Sequence, residues 1–206
     1  MRLIDTHSHL FLEEFSEDLP QVIERARSAG ITHIFMPNID STTIDSMLSV
    51  CNTYNDYCFP MIGLHPTSVN ADYEKELEIV ARELRSFNKY IAIGEVGMDL
   101  YWDKTFLKEQ QIVLDKQINW ALEYDLPVVI HCRDAFGYIY NVLEPYKNTS
   151  LKGVFHSFTG TDDEAARILE FSGFLIGING VVTFKKSRLP EVLTKIPLEK
   201  IVLETD

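Results

Sequence analysis

The chain has 206 residues, of which 46% are hydrophobic and 24% are charged, a composition typical of a soluble globular protein. Its formal net charge of −12 gives no broad attraction to nucleic acid, although divalent metals in a cleft could supply local positive charge for a phosphate substrate. We find no apolar run that would span a membrane and no signal peptide, so we expect a cytoplasmic protein without a membrane partner.

Short apolar runs alternate with amphipathic stretches from one end of the chain to the other. The runs are rich in Val, Ile and Phe and too short for independent helices, so each predicts a β-strand. They cover residues 2–5, 33–37, 59–64, 91–95, 127–131, 153–156, 174–178 and 200–204.

Between the runs, apolar residues recur at the i, i+3, i+4 and i+7 spacing of amphipathic helices. The first such stripe is formed by Leu19, Val22, Ile23 and Ala26, and Gly30 follows it as a helix-stop signal. Six later stripes begin at Ile44, Leu77, Leu114, Ile139, Ala165 and Leu189. Eight strands and seven helices without a composition break predict a single α/β domain over residues 1–206, and eight units favour a (β/α)₈ TIM barrel.

Metal-binding residue types begin at the end of the first predicted strand. His7 and His9 are two residues apart, so on a strand both side chains point the same way, into the mouth of the barrel. Two neutral imidazoles held in this way can bind one divalent metal ion. Taken alone, this spacing is also common for histidines that bind no metal.

The same placement recurs at other strand ends. Glu95, His131 and His156 end the fourth, fifth and sixth runs, His65 follows the third, and Asp206 follows the eighth. Active sites of such barrels form at the carboxyl ends of the strands, and burying many polar groups there is costly unless they share a partner such as a metal. Six donors exceed what one catalytic ion with an open position needs, which favours two ions bridged by a carboxylate such as Glu95.

The motifs that carry these residues resemble those of the TatD family of metal-dependent hydrolases, within the amidohydrolase-like barrels. The matching segments run in order along nearly the whole chain: DTHSHL at 5–10, GLHP at 63–66, GEVGMDLYW at 94–102, HCRDA at 131–135, FHSFTG at 155–160, GINGVVTF at 177–184 and LETD at 203–206. Family members continue past the last motif with a loop and a carboxyl-terminal helix. Since this sequence stops at Asp206, we expect a carboxyl-terminally truncated chain without the final outer helix.

The resemblance also implies roles for individual residues. It implies two metal ions, one held by His7, His9, Glu95 and Asp206 and the other by Glu95, His131 and His156. It implies that His65 and Arg133 contact a substrate phosphate. The activities known in the family are metal-dependent DNase reactions, including 3′–5′ exonuclease action.

The hypothesis is therefore hydrolysis of phosphodiester bonds, in DNA or another phosphate ester, by a metal-activated water. Asp206 and Glu95 are the catalytic candidates, with Asp206 orienting the water or accepting its proton. Mixed His and carboxylate ligands suit zinc, manganese, nickel or iron, and magnesium less well. The alternatives are a phosphomonoesterase, an amidohydrolase or deaminase, and a barrel that the missing tail has disabled. We expect a monomer or a weak homo-oligomer.

Overall fold

A computed structural model describes residues 2–86 and 89–206, and within these ranges eight β-strands alternate with seven α-helices. The strands are β1 (Leu3–Asp5), β2 (Ile31–Met36), β3 (Cys58–Pro60), β4 (Ile93–Asp99), β5 (Val128–Arg133), β6 (Gly153–Phe155), β7 (Phe174–Ile178) and β8 (Ile201–Leu203). The helices are α1 (Leu19–Ser28), α2 (Ile44–Thr53), α3 (Tyr73–Ser86), α4 (Leu107–Glu123), α5 (Phe136–Leu143), α6 (Asp162–Leu169) and α7 (Leu189–Leu193). Six of the seven predicted stripes lie within one of these helices, and the seventh begins in α7 but continues to Ile196, beyond the end of that helix.

The strands are parallel and pair in chain order, β1 to β3 in one set and β4 to β8 in the other. Hydrogen bonds join the two sets at both junctions. Between β3 and β4, the amide of Gly94 donates to the carbonyl oxygen of Ile62 at 2.9 Å. Between β8 and β1, the amide of Thr6 donates to the carbonyl oxygen of Leu203 at 3.0 Å. The strands thus form a ring, and the fold is the TIM barrel that the sequence predicts.

Apolar stripes and capping residues explain where the helices form. In α3 the buried residues Leu77, Val80 and Leu84 follow the helical repeat and belong to the main hydrophobic core. Helix α6 begins with a capping box, in which the side chain of Thr161 accepts from the amide of Glu164 and the Glu164 carboxylate accepts from the amide of Thr161. In the part of the chain that the structure describes, no helix combines the length and the apolar character needed to cross a membrane.

Glycine allows β4 and β5 to approach closely beside the rim. Gly97 has φ of 140° and lies opposite His131 in the register of the two strands. A Cβ atom at Gly97 would collide with the backbone of His131. Because only glycine combines this φ with the absence of a side chain, Gly97 sets the separation between two strands that carry site residues.

Two buried glutamines of α4 tie that helix to the strand ends. The side chain of Gln117 accepts from the amide of Leu64 at 2.8 Å and donates to its carbonyl oxygen at 3.3 Å. Gln110 binds both backbone groups of Asp99 in the same way, at 3.0 and 3.2 Å. These bonds pair the backbone groups of Leu64 and Asp99, and they hold the segment after β3 and the end of β4 against the helix.

The bounds of seven strands differ from the predicted runs, and the differences are largest in β3 and β4. β4 continues to Asp99 instead of ending at Glu95, because its pairing with β5 extends to Arg133. β3 ends at Pro60, and the chain from there to Leu64 forms only one isolated bridge to β4. The longer β4 brings an additional carboxylate to the carboxyl rim of the barrel.

Candidate metal centre

Polar side chains from several strands meet at the carboxyl rim of the barrel, around the carboxylate of Glu95. Glu95 lies within β4 and is 2% exposed. Because parallel strands end at one rim, residues that are remote in sequence come together there. The residues around Glu95 are His7, His9, His65, His131, His156 and Asp206. All of the predicted metal ligands are therefore close to one another.

The Oε2 oxygen of Glu95 faces the two histidines that follow β1. It lies 3.1 Å from Nε2 of His7 and 3.3 Å from Nε2 of His9, and these two nitrogens are 3.2 Å apart. The Oδ1 oxygen of Asp206 lies 3.7 Å from Nε2 of His7 and 3.6 Å from Nε2 of His9. This first group contains the four residues that the resemblance assigns to one metal ion.

The Oε1 oxygen of Glu95 faces a second group. It lies 2.7 Å from Nε2 of His156, 2.9 Å from Nδ1 of His131 and 3.3 Å from Nε2 of His65. Nε2 of His156 and Nδ1 of His131 are 3.4 Å apart. The second group contains the residues that the resemblance assigns to the other ion and, in addition, His65, for which the resemblance implies a phosphate contact. The two oxygens of one carboxylate thus serve separate groups.

The spacing of the donor atoms fits divalent metal ions. A tetrahedral ion with bonds of about 2.0–2.1 Å separates neighbouring ligand atoms by about 3.3 Å. The distances in the first group range from 3.1 to 3.7 Å, and those in the second from 2.7 to 3.4 Å. Imidazole nitrogens with carboxylate oxygens are a donor set of first-row transition metals. The residues present at the rim are therefore suited to hold metal.

Burial and mutual contact set the charge states of the site. Burial and the neighbouring His156 lower the pKa of His7 to about 4, so its imidazole is neutral near pH 7. Burial by itself would raise the pKa of Glu95, but the surrounding histidines, above all His156, hold that pKa well below its ordinary value. A neutral imidazole and an ionised carboxylate are the forms that bind metal ions.

Asp99 holds the imidazole of His131 in place. Its Oδ2 oxygen lies 3.0 Å from Nε2 of His131, and its side chain is 3% exposed. Since a carboxylate only accepts, Nε2 of His131 carries a proton toward Asp99, and Nδ1 faces Glu95, where it carries a second proton unless a metal ion takes its place. Burial opposes protonation of His131, but the hydrogen bonds with Asp99 and Glu95 raise its pKa to about 9.

The sequence favours a solvated loop acid for Asp99 over a role in shaping the pocket, whereas the structure places it, 3% exposed, at the end of β4; one signal in the sequence indicates this position. Asp99 lies four residues after Glu95, and positions i and i+4 of a strand share a face. The signal becomes readable only when β4 is known to extend beyond Glu95.

Glu204 supports the segment that carries His156. Its Oε1 oxygen accepts a hydrogen bond from the amide of Ser157 and lies 3.8 Å from Nδ1 of His156. Gly177 on β7 leaves room for this carboxylate, because a Cβ atom there would collide with it. Burial raises the pKa of Glu204 to about 7, against the opposing effect of His156. Glu204 is thus a buried carboxyl group behind the second group.

Asp5 ties the end of β8 to β1 and so positions Asp206. Its Oδ1 oxygen accepts from the amides of His7 at 3.3 Å and Thr205 at 3.1 Å, and its Oδ2 oxygen accepts from the Thr205 hydroxyl at 2.5 Å. The side chain of Asp206 is 33% exposed, far more than that of His7 at 0%. Asp206 therefore stands on the open side of the first group, where water can reach it.

Arg133 ends β5, two residues after His131. Its guanidinium carbon lies 4.0 Å from the ring centroid of Tyr101 and 5.3 Å from that of Trp102. Its side chain is exposed. The structure therefore places Arg133 at the rim of the candidate centre but against aromatic rings.

The chain is similar to several known proteins along nearly its whole length. The model of the family described as TatD related DNase matches residues 4–206. An uncharacterized metal-dependent hydrolase of Bacillus subtilis, YabD, is 35% identical over 205 residues, which cover 99% of this chain and 79% of YabD. The 3′-5′ ssDNA/RNA exonuclease TatD of Pantoea ananatis is 31% identical over 99% of this chain and 78% of its own. The crystal structure of YJJV, a TatD homologue from Escherichia coli, superposes with a TM-score of 0.90 at 33% identity, covering 100% of this chain and 79% of YJJV.

Proposed function

The chain belongs to the TatD related DNase family and is a metal-dependent hydrolase, and from this premise we propose that it removes nucleotides from the 3′ end of single-stranded DNA or RNA. The name of the Pantoea relative suggests the substrate and the polarity. The observation that carries the proposal is the position of Glu95, whose two oxygens face separate groups of histidines. Paired ions are suited to phosphodiesters, because the attacking and the leaving oxygen both need charge neutralisation.

In the proposed reaction the rim residues would hold two divalent ions. The ligands are His7, His9, Glu95 and Asp206 for one ion and Glu95, His131 and His156 for the other. When bound, the ions supply an activated water and neutralise negative charge at the phosphate. The mixed donor set favours zinc, manganese, nickel or iron over magnesium.

Asp206 is the proposed base of the reaction. Its carboxylate is partly exposed on the open side of the first group, so a water that approaches the group meets it there. Such a carboxylate can orient the water and accept its proton. The bonds between Asp5 and Thr205 hold the backbone beside Asp206, so the carboxylate does not have to be ordered by the substrate.

His65 and Arg133 are the proposed phosphate contacts. Arg133 offers a planar set of donors at the rim, and Nδ1 of His65 is held by the hydroxyl of Thr67 at 2.7 Å. His65 also lies in the second group, so its role has a direct test. A His65→Ala variant that still holds two metal equivalents and binds substrate less tightly supports the phosphate contact. Loss of one equivalent would make His65 a ligand instead.

The proposed function is tested with a single-stranded oligonucleotide labelled at its 5′ end. Metal-loaded protein is expected to produce a ladder of labelled products that shorten from the 3′ end. The double variant His131→Ala/His156→Ala is expected to lose this activity while circular dichroism shows a folded barrel. His33→Gln is a matched control, because His33 lies on β2 and stacks on Phe59 at 5.3 Å, away from Glu95. Full activity in the double variant, or no shortening by the wild type, would refute the proposal.

The same preparations separate the rival functions. A phosphomonoesterase would release phosphate from a terminally phosphorylated strand without shortening it, and an amidohydrolase or deaminase would act on cyclic amides. Many barrels of the latter kind use a lysine as the bridging ligand, whereas Glu95 is the bridging candidate here. Metal analysis tests a barrel retained only for binding, because such a protein need not hold two equivalents per chain.

A further inference from the structure

Beside the metal groups, the rim carries two exposed aromatic side chains. Trp102 is 71% exposed and Tyr101 is 54% exposed. Among the large hydrophobic residues in the described ranges, only Leu198 is more exposed than Trp102. Exposed aromatic rings next to a polar site are typical of ligand-binding surfaces, because a bound ligand covers the rings and removes their apolar surface from water.

Hydrogen bonds with Asp99 and Gln110 hold the loop that carries these rings. The Oδ1 oxygen of Asp99 accepts from the amide of Tyr101 at 3.0 Å, and Gln110 binds both backbone groups of Asp99. The rings of Tyr101 and Trp102 pack edge to face, with centroids 4.8 Å apart and planes at 89°. A surface that is ordered before binding loses little conformational freedom when a ligand arrives.

Arg133 adds a positive charge to this surface. It shares the strand of His131 at a spacing of two residues, so both side chains lie on the same face of β5. Its guanidinium packs on the ring of Tyr101 at 4.0 Å, an arrangement that holds the planar group and leaves donors at its edge. In a chain with a net charge of −12, this cation beside the metal groups favours an anionic ligand.

A crevice of about 220 Å³ adjoins Trp102. Trp102 and Phe106 border it from the segment after β4, and Pro66 borders it from the turn after β3. Asp99 also lines the crevice, and the same carboxylate bonds His131 in the second group. The crevice therefore lies between Trp102 and the carboxylate that bonds His131, and the proposed metal ligands do not line it.

We propose that Tyr101, Trp102 and Arg133 form an aromatic platform that binds a nucleobase of a single-stranded nucleic acid, with the base stacked on Trp102 and a phosphate beside Arg133. This inference rests on the proposed function, because the platform serves a strand that reaches the metal groups. Stacking tolerates any sequence, since every base has a π-face, so the platform binds all bases. Loss of one stacking partner weakens strand binding about 5- to 150-fold.

The first test measures binding without catalysis. The chain has two tryptophans, so Trp120→Phe leaves Trp102 as the only one, and chelator-treated protein is titrated with a short oligothymidylate. We expect the fluorescence of Trp102 to be quenched, with binding about 5- to 150-fold tighter than for an abasic strand of equal length. Equal curves for the two strands would overturn the platform.

The second test uses the metal-loaded enzyme. Trp102→Ala is expected to raise KM for the base-bearing strand about 5- to 150-fold with little change in kcat, and Trp102→Phe to restore most of the affinity. Tyr124→Ala is the matched control, because Tyr124 is an exposed aromatic residue that follows α4, at the opposite end of the barrel. An unchanged KM in Trp102→Ala would refute the platform.

The two tests distinguish failure of the platform from failure of the proposed function. A wild type that shortens base-bearing and abasic strands with equal KM retains the proposed function and overturns the platform. A wild type that cleaves neither strand but shows base-dependent quenching of Trp102 overturns the exonuclease and supports the platform as a binding site.

Discussion

Replacing Asp99 with Ala removes the carboxylate that holds His131 without changing a proposed ligand. The bond between Oδ2 of Asp99 and Nε2 of His131 is 3.0 Å long, and the two side chains are 3% and 17% exposed. A hydrogen bond to a charged partner contributes about 1.5–3 kcal/mol, which corresponds to about 10- to 150-fold in an equilibrium constant. Loss of such a partner of a metal-binding histidine lowers metal affinity by about 10- to 100-fold.

Because Glu95 presents separate oxygens to the two groups, the loss is expected in the second group only. Metal-free wild type and Asp99→Ala are titrated with zinc in competition with a chromophoric chelator. The variant is expected to bind one of two equivalents with wild-type affinity and the other about 10- to 100-fold more weakly. Raised metal concentration is expected to restore much of its activity, since all proposed ligands remain.

Asp103→Ala is the matched control in the same loop. Its carboxylate accepts from the amide and the hydroxyl of Thr105, at 2.9 and 2.7 Å. Its removal is expected to leave metal affinity unchanged. The reasoning is wrong if Asp99→Ala binds both equivalents as tightly as the wild type, or if Asp103→Ala loses as much affinity.

Three further predictions concern protons and stability. The pKa of His131 is raised to about 9, so its imidazole is protonated near pH 7 in the metal-free protein. Metal binding is therefore expected to release a proton. Calorimetric heats of metal binding that do not depend on the ionisation enthalpy of the buffer would contradict this. Gly97→Ala is expected to lower the free energy of unfolding by about 2–4 kcal/mol in thermal unfolding. In Gly137→Ala the new Cβ contacts no other atom, so the free energy of unfolding is expected to rise by up to about 1 kcal/mol. Equal melting temperatures of the two variants would refute the argument. Gln117→Leu leaves both backbone groups of Leu64 unpaired and is expected to cost about 2–4 kcal/mol in denaturant unfolding, so an unchanged midpoint would count against it.

The order of the strands and helices can be read from local patterns in the sequence, and so can the residue types at the rim. Apolar runs and stripes such as Leu77, Val80 and Leu84 are local patterns, so they can be recognised without knowing the fold. The barrel then follows from eight parallel units. It explains why His7 and His156, which are remote in the chain, meet with their ring centroids 3.9 Å apart.

The division of these side chains into two groups follows from the three-dimensional structure and not from local sequence patterns. The separation of the two groups by Oε1 and Oε2 of Glu95, and the use of Nδ1 rather than Nε2 of His131, depend on side-chain directions that no spacing encodes. Asp99 and Glu204 gain their roles from the extent of β4 and from the space left by Gly177. Such contacts are set by the register of strands that are remote in sequence, and register is a property of the closed ring rather than of any single segment.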